Sequence, residues 1–134
     1  MSEKVKEYAE PALKKNLFKK VKEIEIDGVK FVIKRPTRLE IFNSKLDEYG
    51  DKTRDLMDLI ARENDPEKKS ELRKQLKEMN FAYEKELIRL CVVEPDLGES
   101  PEDVLDTGIW FRLVREISDF VFVAPFRESF PPRK

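Results

Sequence analysis

Val21 to Lys34 reads VKEIEIDGVKFVIK, two runs in which apolar and polar residues alternate on either side of Asp27-Gly28. Alternation at period two suits a strand with one buried face, and Asp-Gly accepts the positive φ that both central positions of a type I′ turn demand. The turn sets the register. Ile26 faces Val29, Ile24 faces Phe31 and Ile33 continues that apolar face, while Glu25 and Lys30 meet on the other. A lone two-stranded hairpin is marginal in water, so its apolar face must lie on helices or on another copy of the chain.

The residues that follow supply those helices. Pro36 ends the strand, and Thr37 with Glu40 has capping-box spacing, which predicts a helix over about 38–49 with Leu39, Phe42, Leu46 and Tyr49 on one face. Gly50 is placed for its C-terminal cap. A second helix over about 52–63 carries Leu56, Met57, Leu59 and Ile60 until Asn64 and Asp65 interrupt it. Asp65-Pro66 then reads as an N-cap followed by proline at the first helical position, where a missing N–H costs nothing. Leu72, Leu76, Met79, Tyr83, Leu87 and Leu90 recur at steps of four and three, predicting a helix over about 66–93, roughly 42 Å long at 1.5 Å per residue. Its first half is charged outside that stripe and is expected to pair with residues 52–63 as a helical hairpin. Its second half adds Phe81, Ile88, Cys91 and Val92, so burial should deepen toward its end.

Arg89 to Asp106, RLCVVEPDLGESPEDVLD, concentrates the lone cysteine and many carboxylates, and it reads mainly as punctuation. The residue before a proline is driven from the helical region, so Pro95 ends the long helix near Val93. Ser100-Pro101-Glu102-Asp103 repeats the N-cap device and opens a helix over 101–106, with two carboxylates near the positive end of its dipole. Glu94, Asp96, Glu99, Glu102 and Asp103 lack the order of a calcium-binding loop. Cys91 as a nucleophile would need a base, and the chain contains no histidine, so a buried apolar cysteine is the expectation. A last helix over 108–121 buries Ile109, Leu113, Ile117 and Phe120, broadened by Trp110, Val114 and Val121, and Gly108 is the expected bend or cap before it. The terminal segment 122–134 carries Phe122, Phe126 and Phe130 among prolines that bar a helix.

The totals bound the class. The 134 residues suit one domain, and 41% charged residues with a net charge of -1 describe a mixed-charge surface rather than a one-signed tail. Residues 1–38 hold an excess of about five positive charges, which the remainder offsets. One unpaired cysteine argues against a disulfide-built secreted domain, and no apolar run resembles a signal peptide or a membrane span, so a cytoplasmic protein is expected. Without histidine the commonest metal ligand and proton shuttle are missing, and no cofactor or metal site is expected. The expected fold is α+β and predominantly α-helical: an N-terminal β-hairpin (21–34) packed on about four to five helices, one of them long, in a single domain over 21–121. A flexible basic arm (1–20) precedes it and an aromatic, proline-bearing tail (122–134) follows.

The order of these parts resembles the tail assembly chaperones of long-tailed bacteriophages and related prophages. The resemblance runs from Glu23 to about Phe120. It is carried by the hairpin VKFVIKRPT, the charged middle helices, and most specifically CVVEPDL followed by PEDVLDTGIWFRLVREI. It implies a protein that is not an enzyme. Such chaperones bind the long apolar tape measure protein, keep it soluble and help recruit tail-tube subunits, and they are usually absent from the finished virion. Some are made with a frameshifted C-terminal extension, and this chain would correspond to the short form.

Physics is compatible with that role through an apolar helix held in a groove. Trp110, Phe111, Phe126 and Phe130 are the candidate partner contacts. A structural virion component, such as a tail-completion or connector protein, is the alternative, and it should assemble into rings. A nucleic-acid-associated regulator would use Lys14, Lys15, Lys19, Lys20, Arg35 and Arg38, but the chain is far less basic than a dedicated nucleic-acid binder. A homo-oligomer is left open.

Overall fold

The computed structural model describes residues 20–123. The 1–20 arm, apart from Lys20, and the tail beyond Val123 lie outside the described residues. The described chain is α+β and predominantly helical, with its sheet at the N-terminal end. The hairpin comprises β1 (Val21–Ile26) and β2 (Val29–Lys34), and its cross-strand partners include Ile24 with Phe31, Glu25 with Lys30 and Ile26 with Val29. Asp27 (φ 50°) and Gly28 (φ 81°) both occupy the left-handed region that the tight turn requires. The ion pair on the polar face runs diagonally, from Lys30 to Glu23 at 3.6 Å, rather than directly across to Glu25. Ile26, Phe31 and Ile33 are buried, whereas Val29 at the turn is exposed.

The sheet has three strands, not two. The long helix α3, introduced here with α1 (Arg38–Asn43) and α2 (Leu46–Arg62), spans Pro66–Cys91 and gives way at Val92 to β3 (Val92–Glu94). β3 lies antiparallel to β2, pairing Ile33 with Val92 and Val32 with Glu94 around a register irregularity. The expected helix end at Val93 is therefore two residues too late. Val92 and Val93 favour extended backbone, Pro95 holds Glu94 out of the helical region, and β2 offers an open edge for pairing. A local pattern of apolar residues could not reveal that edge.

Three other boundaries move for equally local reasons. The helix expected over 38–49 breaks at Ser44, which is extended (ψ 175°); its hydroxyl donates to the Ile41 carbonyl (2.7 Å) and accepts from the Leu46 amide (3.2 Å). The capping box ahead of α1 is present, with Thr37 and Glu40 exchanging side-chain and backbone bonds at 3.1 Å each. Gly50 then caps nothing. It sits inside α2, where a Cβ would meet the Tyr83 ring of α3 at 3.6 Å. The expected helix over 101–106 shrinks to one 3-10 turn, Pro101–Asp103, because Ser100 makes no side-chain cap bond.

Asp106 caps instead, accepting from the Ile109 amide at 2.8 Å, so the last helix, α4, starts at Thr107, includes Gly108 and runs to Ser118. Residues Asp119–Val123 widen into a π-turn. The Phe120 carbonyl there accepts from Arg35 Nε at 3.0 Å, and the guanidinium sits 4.3 Å from the Phe120 ring centre.

One core joins these parts. Ile26, Phe31 and Ile33 from the sheet, Leu87, Ile88 and Cys91 from α3, Leu113 and Ile117 from α4, and Leu46, Trp110 and Phe120 form a single buried cluster. α2 and α3 pair as a helical hairpin connected through residues 63–65, with Asp65 accepting from the Glu67 amide at the start of α3. Burial stops at the body: no residue between Asp47 and Glu86 is buried. The core lies at one end of the molecule and the hairpin extends from it.

Leu87→Ala should therefore cost about 3 kcal/mol in denaturant unfolding, the loss of a fully buried side chain plus its cavity. Val29→Ala, at an exposed position of the same apolar pattern, should stay within about 0.5 kcal/mol.

Candidate functional site

An apolar surface crosses the junction of α3, the 3-10 turn and the start of α4. It is built around Trp110, which α4 directs inward and which is 6% exposed. The indole stacks on Phe81 of α3, ring centres 5.4 Å apart and planes 13° from parallel, and its Nε1 donates to Glu84 Oε1 at 3.2 Å. Buried indole N–H groups need such an acceptor, and here it comes one helical turn after Phe81, on the face that meets α4. Beside this floor Phe81 and Phe111 stay exposed at 44% and 59%. Phe81, Leu105, Trp110 and Phe111 line an open groove of about 230 Å³ whose rim carries Glu84, Glu102 and Thr107.

The rim is held by ions. Glu102 Oε1 accepts from Lys85 Nζ at 2.9 Å, bridging the 3-10 turn to α3, and that ammonium group holds the Glu102 carboxyl below its ordinary pKa. A carboxylate lowered in this way stabilises the fold above its ordinary titration range, and the contribution is lost as pH falls through the lowered value. On the opposite side of α4, Arg112 bonds Asp27 of the hairpin turn at 3.0 Å. This pair is well exposed, so it orients the turn more than it stabilises the chain.

The four partner-contact candidates separate. Trp110 and Phe111 are neighbours in sequence with opposite roles: one is the floor of the groove and the other stands at its edge. Phe126 and Phe130 lie outside the described residues. Phe81 and Leu105 belong to the surface although the sequence reading gave them no contact role. Phe81 meets Trp110 across 29 positions of chain, and only the tertiary fold supplies that stacking.

Leu39 and Phe42 form a second exposed patch on α1, at 67% and 81% exposure. The helical pattern placed them on a buried face with Leu46. The break at Ser44 rotates the two halves apart, and only Leu46 enters the core.

Cys91 is fully buried and free, and burial pushes its thiol up to about 12. It is an apolar core residue. Of the carboxylates in the connecting stretch, Asp96 accepts from the Gly98 amide at 2.9 Å and Glu102 stands on the groove rim, and among the described residues no three His, Cys, Asp or Glu side chains gather as a metal site. Among the basic residues singled out, Lys20, Arg35 and Arg38 are described, and Arg35 is engaged with Phe120. Lys14, Lys15 and Lys19 lie outside the described residues. No helix among the described residues is long and apolar enough to cross a membrane. Comparison with known protein families, curated proteins and solved structures finds no match.

Adjacent positions on α4 should therefore behave differently on truncation. Trp110→Ala should cost about 3 kcal/mol in thermal or denaturant unfolding, while Phe111→Ala should stay within about 0.5 kcal/mol, leaving it a clean probe of binding.

Proposed function

We propose that this chain is a phage tail assembly chaperone that binds the tape measure protein, keeps that apolar partner soluble in the host cytoplasm and assists tail assembly, with tail-tube subunits as further partners. In this reading the chain does no chemistry of its own. The observation that carries it is the groove floored by Trp110 and edged by Phe81, Leu105 and Phe111. Aromatic and aliphatic side chains are exposed there on a chain of which 41% of the residues are charged. Contiguous apolar surface of this kind favours interaction with another chain, and a groove between helices suits an amphipathic or apolar helix. The sequence resemblance over Glu23 to Phe120 supplies the name of that partner.

Co-expression with the tape measure protein encoded downstream in the source genome is the test. The partner should become soluble and co-purify with the chain, and Phe111→Ala should reduce the recovered complex at unchanged expression of the chaperone. A partner that precipitates alone, while this chain assembles into rings, would move the reading to a structural virion component.

A further inference from the structure

A second apolar groove lies on α1. Leu39, Ile41 and Phe42 line an open hollow of about 380 Å³ edged by Arg38 and Asp47. Phe42 and Leu39, 81% and 67% exposed, are the two most exposed large apolar side chains among the described residues. The platform beneath them is fixed: the capping box holds the start of α1, the Ser44 hydroxyl closes its end, and Glu40 pairs with Lys34 of β2. A helix of six residues has little stability of its own, and apolar surface held out on it calls for a cover.

The place where the described chain begins identifies that cover. Val21 pairs with Lys34, and one step beyond this pair the Arg35 amide donates to the Lys20 carbonyl at 2.7 Å. The strands are antiparallel, so chain continued back from Lys20 runs beside the segment that leads from Arg35 into α1, which starts at Arg38. Leu17 lies within about 11 Å of Lys20 and Leu13 within about 25 Å even at full extension, while Leu39 lies within about 14 Å of Arg35, so both N-terminal leucines reach the groove. Leu13 and Leu17, four positions apart, have the spacing of neighbours on one helix face, as Leu39 and Phe42 do at three. The rim carries one charge of each sign, Arg38 and Asp47, so position rather than charge selects the occupant. A segment joined at Lys20 stands beside the groove at an effective concentration of about a millimolar, which a separate chain in dilute solution does not match. The segment past Val123 also starts nearby, but Phe120 meets Arg35 only through the arginine side chain, which sets no direction toward α1. We propose that residues 12–18 of this chain dock in the α1 groove, with Leu13 and Leu17 against Leu39 and Phe42, and so tie the N-terminal arm down beside the sheet. The inference is independent of the proposed chaperone role.

Brief trypsin digestion of the full chain, followed by mass spectrometry, tests it, because proteolysis reads the population of the open form. Phe42→Ser and Leu17→Ser should each speed cleavage after Lys14 and Lys15 by about fivefold, the loss of one partly buried apolar contact. The two changes together should add little more, since both break the same contact. Cleavage after Lys4 should stay as it is in the parent chain. Phe42 lies outside the buried core, so circular dichroism of its variant should match that of the parent. Unchanged cleavage after Lys14 and Lys15 in either variant overturns the proposal. So does protection that fades on dilution, which gives the groove to a second copy, or faster cleavage after Arg127 in place of Lys15 on Phe42→Ser, which gives it to the C-terminal segment.

Discussion

The apolar face of β1 and β2 cannot remain in water, and the way it is covered organises everything else. Two strands cannot bury Ile26, Phe31 and Ile33 between themselves, because all three point to the same side. The chain covers them with the C-terminal end of α3 and the inner face of α4. It then secures the arrangement by turning the last residues of the long helix into a third strand. Cys91 is the final buried residue of α3 and Val92, its neighbour, already pairs with Ile33. The sheet and the longest helix are thus one continuous piece of backbone, and the helical spine cannot pivot without breaking β2–β3 hydrogen bonds.

That solution divides the molecule. The body, which holds the buried cluster, has its elements crossed and tied by long-range contacts such as Arg35 to Phe120 and Lys85 to Glu102. The α2–α3 hairpin has only itself. Its two helices share a stripe of half-buried residues and leave leucine and methionine side chains in solvent, which is costly for helices that short-range pairing alone must hold. The apolar groove at Trp110 lies on the well-supported part, where a rigid floor favours recognition. The open hairpin face lies on the weakly supported part.

Much of this was legible in residues read alone. The hairpin register, the Asp27-Gly28 turn, the Thr37–Glu40 capping box and the Asp65-Pro66 restart all follow from side-chain chemistry acting over a few positions, and each is present. The α+β, mostly helical class came with them. What escaped was decided by competition between alternatives of similar local merit. Ser44 could continue a helix or bond its own backbone, and it bonded its backbone. Val92 could end α3 or extend β2's sheet, and an unpaired strand edge some sixty residues upstream decided the matter. Ser100 and Asp106 both have the chemistry of an N-cap, and Asp106 took the role because a full helix begins there. The candidate site was half legible: Trp110 and Phe111 were recognisable as aromatics near the start of a helix, but which one faced inward depended on Phe81 and Glu84, contributed by another helix.

Hydrogen exchange of the dilute, full chain, followed by mass spectrometry, would test most directly whether the body holds itself together while the hairpin opens more readily. Amides around Phe31–Lys34, Leu87–Val92 and Leu113–Ile117 should exchange slowest, near the rate of global unfolding, and those of residues 55–79 should exchange far faster. Protection of residues 55–79 equal to that of the body, in chains dilute enough to be monomeric, would contradict this division and place the stabilising contacts of the hairpin within its own chain.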